Sequence, residues 1–371
     1  MGRSRLRRII SGVGLSASEQ IIASPLEEPS RRRRQLLSGV IYLLFIATGV
    51  FVVLPQFLGE DRERIGLALQ SARPEWLALA VAFETLRYLC FGMVVRRIGS
   101  VLDVRISRAD SAQMMLASYA LSRIFSLGGA TAFIVRLQFW MRRGLTVGRT
   151  LGLFITHNVL SGAALLCAYL VGMAVLWARG DLDQWKALAA FGWLLVICAT
   201  AGVQVYFGLR PQRLERVAAW WLQRFDTRLR RIFKRAFYRP EFMQQLSHDL
   251  ALSLNTTLRS GRGLLSAAFY QATGLAADIF TLYLCAHALQ IESTLGLLIA
   301  AYIIAYYSQL IAPTPGEAGA MEGTLLVTLL ALGFERADAF ATMVLFRLLS
   351  FWLPIPFGVL AYLNLRRTKR L

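Results

Sequence analysis

The stretch GLLIAAYIIAYYSQLIAPTPGEAGAMEG, residues 296–323, decides how we expect this chain to fold. A strongly apolar helix predicted over 295–311 runs into the turn-forming sequence PTPG at 313–316, and a second apolar helix is predicted over 320–332. At the rise of an α-helix these arms would be about 25 and about 20 Å long, whereas the hydrocarbon core of a bilayer is about 30 Å thick. Both arms are too short to cross, so the chain is predicted to turn back at membrane depth, like the broken helices of transport sites.

The composition of the whole chain is that of a polytopic helical membrane protein. Of its 371 residues 56% are hydrophobic, the mean hydropathy is +0.51, and long uncharged runs recur along its length. In a soluble chain, the formal net charge of +19 would suggest nucleic acid as a partner. Here the arginines cluster in particular loops, as the positive-inside rule describes, so no nucleic-acid partner is expected.

The residues that usually carry soluble catalysis form no recognisable set. The four cysteines lie singly inside apolar runs, which favours free buried thiols, and the three histidines lack metal-ligand spacing. No phosphate-binding glycine loop, nucleophile elbow or dinucleotide fingerprint occurs. We therefore expect no metal, no cofactor and no enzymatic activity. An intramembrane transferase with Glu322 or Asp278 as its base is the weakest hypothesis.

Loop charges predict the topology and the domains. Residues 1–35 are predicted to be a disordered basic cytosolic arm, residues 36–365 the transmembrane domain, and residues 366–371 a basic cytosolic tail, so both termini are expected in the cytosol. About six full crossings are predicted, at 36–58, 76–95, 150–177, 187–209, 263–288 and 339–363. Residues 59–75 are predicted to form an external loop.

The largest cytosolic segment is predicted at 210–262, which carries twelve Lys and Arg residues against four acidic ones. Apolar residues within 214–225 fall on one face of a helix. That pattern favours either a helix lying on the membrane surface or a helix packed on the cytosolic side of the protein.

Two re-entrant hairpins complete the prediction. The first, 111–141, has basic flanks and so enters from the cytosol, with its break at Gly128 and Gly129. The second, 295–332, has acidic flanks and so enters from outside, with its break at Pro313, Pro315, Gly316 and Gly319. Each half of the chain crosses three times, so the second half is predicted to be an inverted repeat of the first, with repeat one at 36–177 and repeat two at 187–365.

The outgoing arm of each hairpin begins at its break. Its free amide donors and the positive end of its dipole are therefore expected inside the membrane. Two such helix ends approaching from opposite faces predict a site for an anion such as a lipid phosphate.

Charged residues in apolar surroundings are the candidate site residues. An Arg or Asp at a helix centre costs about 2.5–3.5 kcal/mol, so such groups should pair or face water. Glu84 and Arg87, three residues apart on one helix, are predicted to form an intramembrane pair. The candidates for binding a lipid head group are Arg123, Arg136, Asp278, Glu317, Glu322 and Arg347.

Structural alternatives stand beside these assignments. Arg136 as a snorkelling interfacial residue is one, and Glu317 as the cap of the second arm is another. Glu322 as an ordinary ion-pair partner, and a bond between Asp278 and Arg347 across helices, are two more. His157 is expected to be a satisfied core histidine, and the aromatic residues are expected mostly in the core and the interface belt.

The sequence PTPGEAGAMEG, followed by LLALGFERADAFATMVLFRLLSFWLP, resembles the membrane domain of lysylphosphatidylglycerol synthases and their stand-alone flippase-like relatives. The matching residues are Pro313, Pro315, Gly316, Gly319, Glu322, Gly333, Ala339 and Arg347, and Gly128, Gly129 and Arg136 resemble the first-half counterpart. Glu317 departs from the pattern, where a second glycine is usual. The resemblance implies lipid flipping without the soluble aminoacyl-transfer domain of the bifunctional members.

The leading hypothesis is translocation of an anionic or aminoacylated phospholipid, or a related lipid-linked head group, across a bacterial cytoplasmic membrane. Arg123 and Arg347 would contact the phosphate, and Glu322, Glu317 and Asp278 would hold a cationic or hydroxylated part. The alternative is a non-catalytic membrane subunit that docks a lipid- or glycan-modifying enzyme through the basic segment 210–262. Membrane lipids, and in the second case that enzyme, are the expected partners.

Overall fold

The computed structural model describes residues 61–125, 129–180, 184–210, 240–311 and 319–371, with five further residues between 212 and 220, and the described elements are helices. In chain order they are α1 (Asp61–Gln70), α2 (Pro74–Val101), α3 (Arg108–Ile124), α4 (Gly129–Met141), α5 (Val147–Arg179), α6 (Gln184–Leu209), α7 (Pro240–Arg259), α8 (Gly261–Ala288), α9 (Leu295–Ile311), α10 (Ala320–Ala331), α11 (Arg336–Arg347), a π-helical turn (Leu348–Trp352) and α12 (Pro354–Arg367). The predicted arm 1–35, the crossing 36–58, most of 214–225, and the site and break residues Gly128, Pro313, Pro315, Gly316 and Glu317 lie outside the described residues.

The chain is a multi-pass membrane protein. Within the described ranges, three helical stretches are long and apolar enough to cross a membrane: Pro74–Val101, Val147–Ala178 and Arg336–Arg367. The shorter apolar helices Leu295–Gln309 and Ala320–Ala331 lie between the last two of them in the chain. The helices at the predicted arms 295–311 and 320–332 have almost the predicted bounds, because the Pro and Gly residues between them interrupt the apolar run.

α2 and α8 pack along each other at the centre of the molecule. Their close approach requires a glycine, because a Cβ at Gly274 would lie 2.6 Å from a ring carbon of Phe91. Around this pair, α3 packs against α2, α4 and α12, and α9 packs against α5, α8 and α10. The buried hydrophobic residues of these helices form two large clusters, one around α9 and α11 and one around α3 and α4.

The short helix α3 is fixed at its N-terminus and along the face that packs against α12. Its N-terminus is capped by Ser107, whose side chain accepts from the Asp110 amide at 3.0 Å. On the side of α12, Gly358 allows contact, since a Cβ there would lie 2.5 Å from the Leu116 carbonyl oxygen. α3 therefore holds the first half of the described chain against its last helix.

Two polar segments differ from the sequence prediction. The predicted loop 59–75 contains α1, which packs against α11. The segment 210–262, predicted to be cytosolic, contains α7, which packs against the start of α5. Both helices carry too many charged or polar residues for a hydropathy argument to find them. The apolar face of α7 becomes evident only where Leu250 and Leu254 are buried.

The C-terminal residues 366–371, predicted to be a basic tail, pack against the protein. α12 continues to Arg367. Beyond it, Nη1 of Arg370 lies 2.5 Å from Oδ1 of Asp110, and the Arg370 carbonyl accepts from Nη1 of Arg143 at 2.9 Å. Leu371 is buried. This end of α12 is therefore tied to the beginning of α3 and the end of α4.

Candidate functional site

The crossing of α2 and α8 holds a buried ionic cluster. Oε1 of Glu84 lies 2.6 Å from Nη1 of Arg87, and the same nitrogen lies 3.2 Å from Oδ1 of Asp278. The Tyr302 hydroxyl, from α9, donates to Oδ2 of Asp278 at 2.5 Å. Three helices thus meet at one guanidinium that serves two carboxylates.

A second ion pair joins α10 to α11. Nε and Nη2 of Arg347 lie 2.8 and 2.7 Å from Oε1 of Glu322. The other carboxylate oxygen, Oε2, accepts from the Gly319 amide at 2.8 Å. Gly319 has φ +91° and ψ −49°, a backbone conformation that favours glycine. Glu322 therefore closes the first turn of α10 and holds Arg347 with the same side chain.

Arg123, near the end of α3, is buried with neutral partners. Its Nη1 donates to the Tyr88 hydroxyl at 3.1 Å and to the Phe351 carbonyl oxygen at 3.3 Å, while its Nε has no hydrogen-bond partner. No described carboxylate lies within 4.0 Å of it. A buried guanidinium without a counter-charge is costly, and this position suits an incoming anion.

Two aromatic rings connect the buried arginines. The guanidinium carbons of Arg123 and Arg347 lie 4.8 and 4.3 Å from the centroid of the Phe351 ring. The Tyr119 ring has Arg123 and Arg136 at 5.7 Å and Arg87 at 6.0 Å. Cations within about 6 Å of a ring face are stabilised by its quadrupole. The rings therefore bring guanidinium groups from both halves of the chain close together.

A small cavity lies beside Arg136, between α2, α4 and α5. Its volume is about 20 Å³, room for roughly one water molecule. Two further polar side chains line it, Thr150 and His157, and their Oγ1 and Nδ1 atoms have no hydrogen-bond partner. Polar groups this deeply buried normally have partners. The cavity is therefore a place for water or for a polar ligand atom.

The buried charged side chains of this site form one group. We call its seven charged members the central network: Glu84, Arg87, Arg123, Arg136, Asp278, Glu322 and Arg347. Each is no more than 9% exposed. Within the described residues this set holds four guanidinium groups and three carboxylates.

The structure brings most of the predicted site residues together in this network. Glu84 lies beside Arg87, as the pair predicted from their spacing would require. Asp278 has Arg87 as its partner and not Arg347, and Arg347 is held by Glu322. The carboxylates of Asp278 and Glu322 are therefore paired with different arginines.

Several partners in the network were not predicted from the sequence. Tyr88, Tyr119 and Phe351 were expected in the core or interface belt, whereas they contact guanidinium groups. Their spacing was the available signal. Tyr119 precedes Arg123 by four residues and Phe351 follows Arg347 by four, which places each ring beside its arginine on one helix face. Within the described residues, no group of three or more His, Cys, Asp or Glu side chains could hold a metal ion.

Comparison with known families gives one match over most of the chain. The model described as "Lysylphosphatidylglycerol synthase TM region" matches residues 36–358. A search of curated proteins gives no significant match.

Proposed function

Because the chain belongs to the lysylphosphatidylglycerol synthase transmembrane-region family, we propose that it moves an anionic lipid head group across the membrane. The observation that carries this proposal is the environment of Arg123. It is 5% exposed, it has only neutral hydrogen-bond partners, and it shares the Phe351 ring with Arg347. A phosphate at Arg123 would supply the counter-charge that these partners do not.

The proposed architecture is an inverted repeat, with repeat one at 36–177 and repeat two at 187–365, in which α3–α4 and α9–α10 are re-entrant hairpins. The packing pattern supports it. The contact of α3 with α12 has a counterpart in the contact of α9 with α5, and the contact of α4 with α5 has one in the contact of α10 with α11. A two-fold axis through the α2–α8 pair would generate this exchange.

In this proposal the arginines and the carboxylates bind different parts of the head group. Arg123 and Arg136 receive the phosphate, and Arg347 joins them where it faces Phe351. Asp278, Glu317 and Glu322 hold a cationic or hydroxylated part of the head group. Rocking of one repeat against the other exposes the site to each leaflet in turn, and no covalent chemistry is involved. The proposed location is a bacterial cytoplasmic membrane.

The test is a leaflet-specific flipping assay in proteoliposomes that contain fluorescent phosphatidylglycerol. Arg123→Ala should abolish most of the flipping because the phosphate loses its cation. Arg105→Ala removes an exposed arginine in the loop after α2 and should leave the rate unchanged. Glu322→Ala should also slow flipping, because it releases Arg347.

Two results would overturn the proposal. Wild-type rates in both Arg123→Ala and Glu322→Ala would remove the site assignment. Failure of the wild-type protein to flip any anionic lipid would remove the function. Retention of a lipid-modifying enzyme by the same inactive protein would then favour the docking alternative.

A further inference from the structure

Glu84 has a carboxylate oxygen without a partner at the centre of the molecule. Nη1 of Arg87 contacts both Oε1 of Glu84 and Oδ1 of Asp278, so one nitrogen is divided between two carboxylates. Oε2 of Glu84 is buried and has no hydrogen-bond partner. The other oxygen, Oε1, accepts the only described hydrogen bond of this carboxylate, from Nη1 of Arg87 at 2.6 Å.

Arg123 supplies the second positive charge of this region. Its donor contacts Tyr88, which lies one helical turn beyond Glu84 on α2. The Tyr119 ring brings Arg123 and Arg87 close to each other, because their guanidinium carbons lie 5.7 and 6.0 Å from its centroid. Two carboxylates are thus balanced by two guanidinium groups, of which only Arg87 makes direct ion pairs with them.

The groups that face Glu84 come from four helices. They are Arg87 and Tyr88 on α2, Asp278 and Cys285 on α8, Arg123 on α3, and Tyr302 on α9 through its bond to Asp278. Asp278 disfavours a second negative charge nearby, whereas both arginines favour it. The charge state of Glu84 therefore depends on whether the positive charge of Arg123 is available to balance a negative charge on Glu84.

A phosphate bound to Arg123 would change that balance. The phosphate would neutralise the guanidinium, and Glu84 and Asp278 would be left with Arg87 alone. At this burial an uncompensated carboxylate is strongly disfavoured, and protonation removes it. Oε2 of Glu84 is the oxygen free to receive the proton.

We propose that Glu84 takes up one proton from water when an anionic head group binds Arg123, so that the lipid crosses the membrane together with a proton. This inference rests on the proposed function and names its coupling ion. Because linkage is reciprocal, a protonated Glu84 leaves Arg123 less compensated and strengthens its hold on the phosphate.

The test is isothermal titration calorimetry of the full chain in detergent with short-chain phosphatidylglycerol, in buffers that differ in ionisation enthalpy. At a pH at which Glu84 is charged in the lipid-free protein, the measured heat should vary with the buffer by an amount equal to uptake of one proton per lipid. Affinity should fall by up to about tenfold per pH unit above the titration of Glu84. The phosphodiester keeps its single charge throughout, so the ligand adds no pH dependence.

Glu84→Gln permanently mimics the protonated, uncharged form of the Glu84 side chain. It should bind the lipid at least as tightly as the wild type, with a heat that no longer depends on the buffer and an affinity that no longer depends on pH. Asp249→Asn is the matched control, a buried acid of α7 beside Arg149, and should keep the wild-type proton uptake. Arg123→Ala, which is expected not to bind the lipid, gives the background heat of the titration.

The outcomes separate this inference from the proposed function. Lipid binding without proton uptake in the wild type would overturn the inference and leave the function standing. Proton uptake that persists in Glu84→Gln would overturn the assignment to Glu84. Equal binding of glycerol phosphate would overturn a lipid as the ligand, and absence of binding by the wild type would overturn both proposals.

Discussion

Each buried arginine of the central network is stabilised in a different way. Arg87 and Arg347 contact carboxylates, whereas Arg123 contacts a phenol, a carbonyl and an aromatic ring. Neutral acceptors and a ring offset only part of the cost of burying a guanidinium. The position of Arg123 is therefore better explained by transient binding of an anion than by a contribution to the stability of the resting protein.

Gly319 and Glu322 act as one unit. The sequence singled out both, but it offered a substrate amine or an arginine as the partner of Glu322. The structure adds the Gly319 amide, which donates a hydrogen bond to Glu322 while the same carboxylate also accepts from Arg347. The spacing of the two residues follows from this geometry, because a side chain at the third position of a helix reaches back to the amide before its first turn.

Gly319→Ala should lower the free energy of unfolding by about 1–3 kcal/mol, because a side chain at φ +91° is strained. It should also disturb the position of Glu322. Unfolding in SDS, followed by circular dichroism, measures the change. Gly323→Ala, in the first turn of α10 with open space around it, should be neutral or stabilising. Equal effects of the two substitutions would contradict the strain argument.

At the scale of elements, α3 is packed between α2 and α12 through glycines. Gly92 faces the Ala112 backbone, where a Cβ would lie 2.9 Å away, and Gly358 faces Leu116. Small residues at such crossings let helix backbones approach and gain van der Waals contact within the membrane. These two contacts position α3, the helix that carries Arg123.

Gly358→Ala should therefore push α12 away from α3 and lower the free energy of unfolding by about 1–3 kcal/mol, as overpacking does. Gly202→Ala, in α6 with open space around it, is the control and should have little effect. The same unfolding assay applies. If Gly358→Ala left the free energy of unfolding unchanged, α3 and α12 would not pack this closely.

Helix bounds were more predictable than contacts. α9 and α10 follow from apolar runs broken by Pro and Gly, and their bounds agree with prediction within a residue. α1 and α7 were missed because their burial depends on partners, and a helix such as α7 looks polar until α5 covers its apolar face. The contacts of Tyr119 and Phe351 with guanidinium groups depend on tertiary placement, which periodicity cannot supply.

At the scale of the whole molecule, the exchange of partners between the two halves is the main support for the inverted repeat. The last helix of each proposed repeat packs against the first hairpin arm of the other. Glycines mark the second of these contacts as they do the first, since a Cβ at Gly172 would lie 2.7 Å from the Ile299 side chain.

Cysteine accessibility tests this architecture. Arg142→Cys, after α4, and Glu335→Cys, after α10, introduce single thiols at exposed positions, in a background with Cys167 and Cys198 replaced by Ser. A membrane-impermeant maleimide should label Glu335→Cys in intact spheroplasts and Arg142→Cys only after permeabilisation. Labelling of both from the same side would rule out hairpins that enter from opposite faces.

The π-helical turn at 348–352 fixes one further relation between distant parts of the protein. The Leu353 amide donates to the Leu348 carbonyl at 2.8 Å, five residues back, so the turn holds one residue more than an α-helical one. Each residue of an α-helix advances the azimuth by about 100°. Shortening this turn by one residue would leave Arg347 in place and swing the Gly358 face of α12 about a quarter-revolution away from α3. One additional residue in this turn thus sets the rotation of the α3–α12 contact relative to the Arg347–Glu322 ion pair.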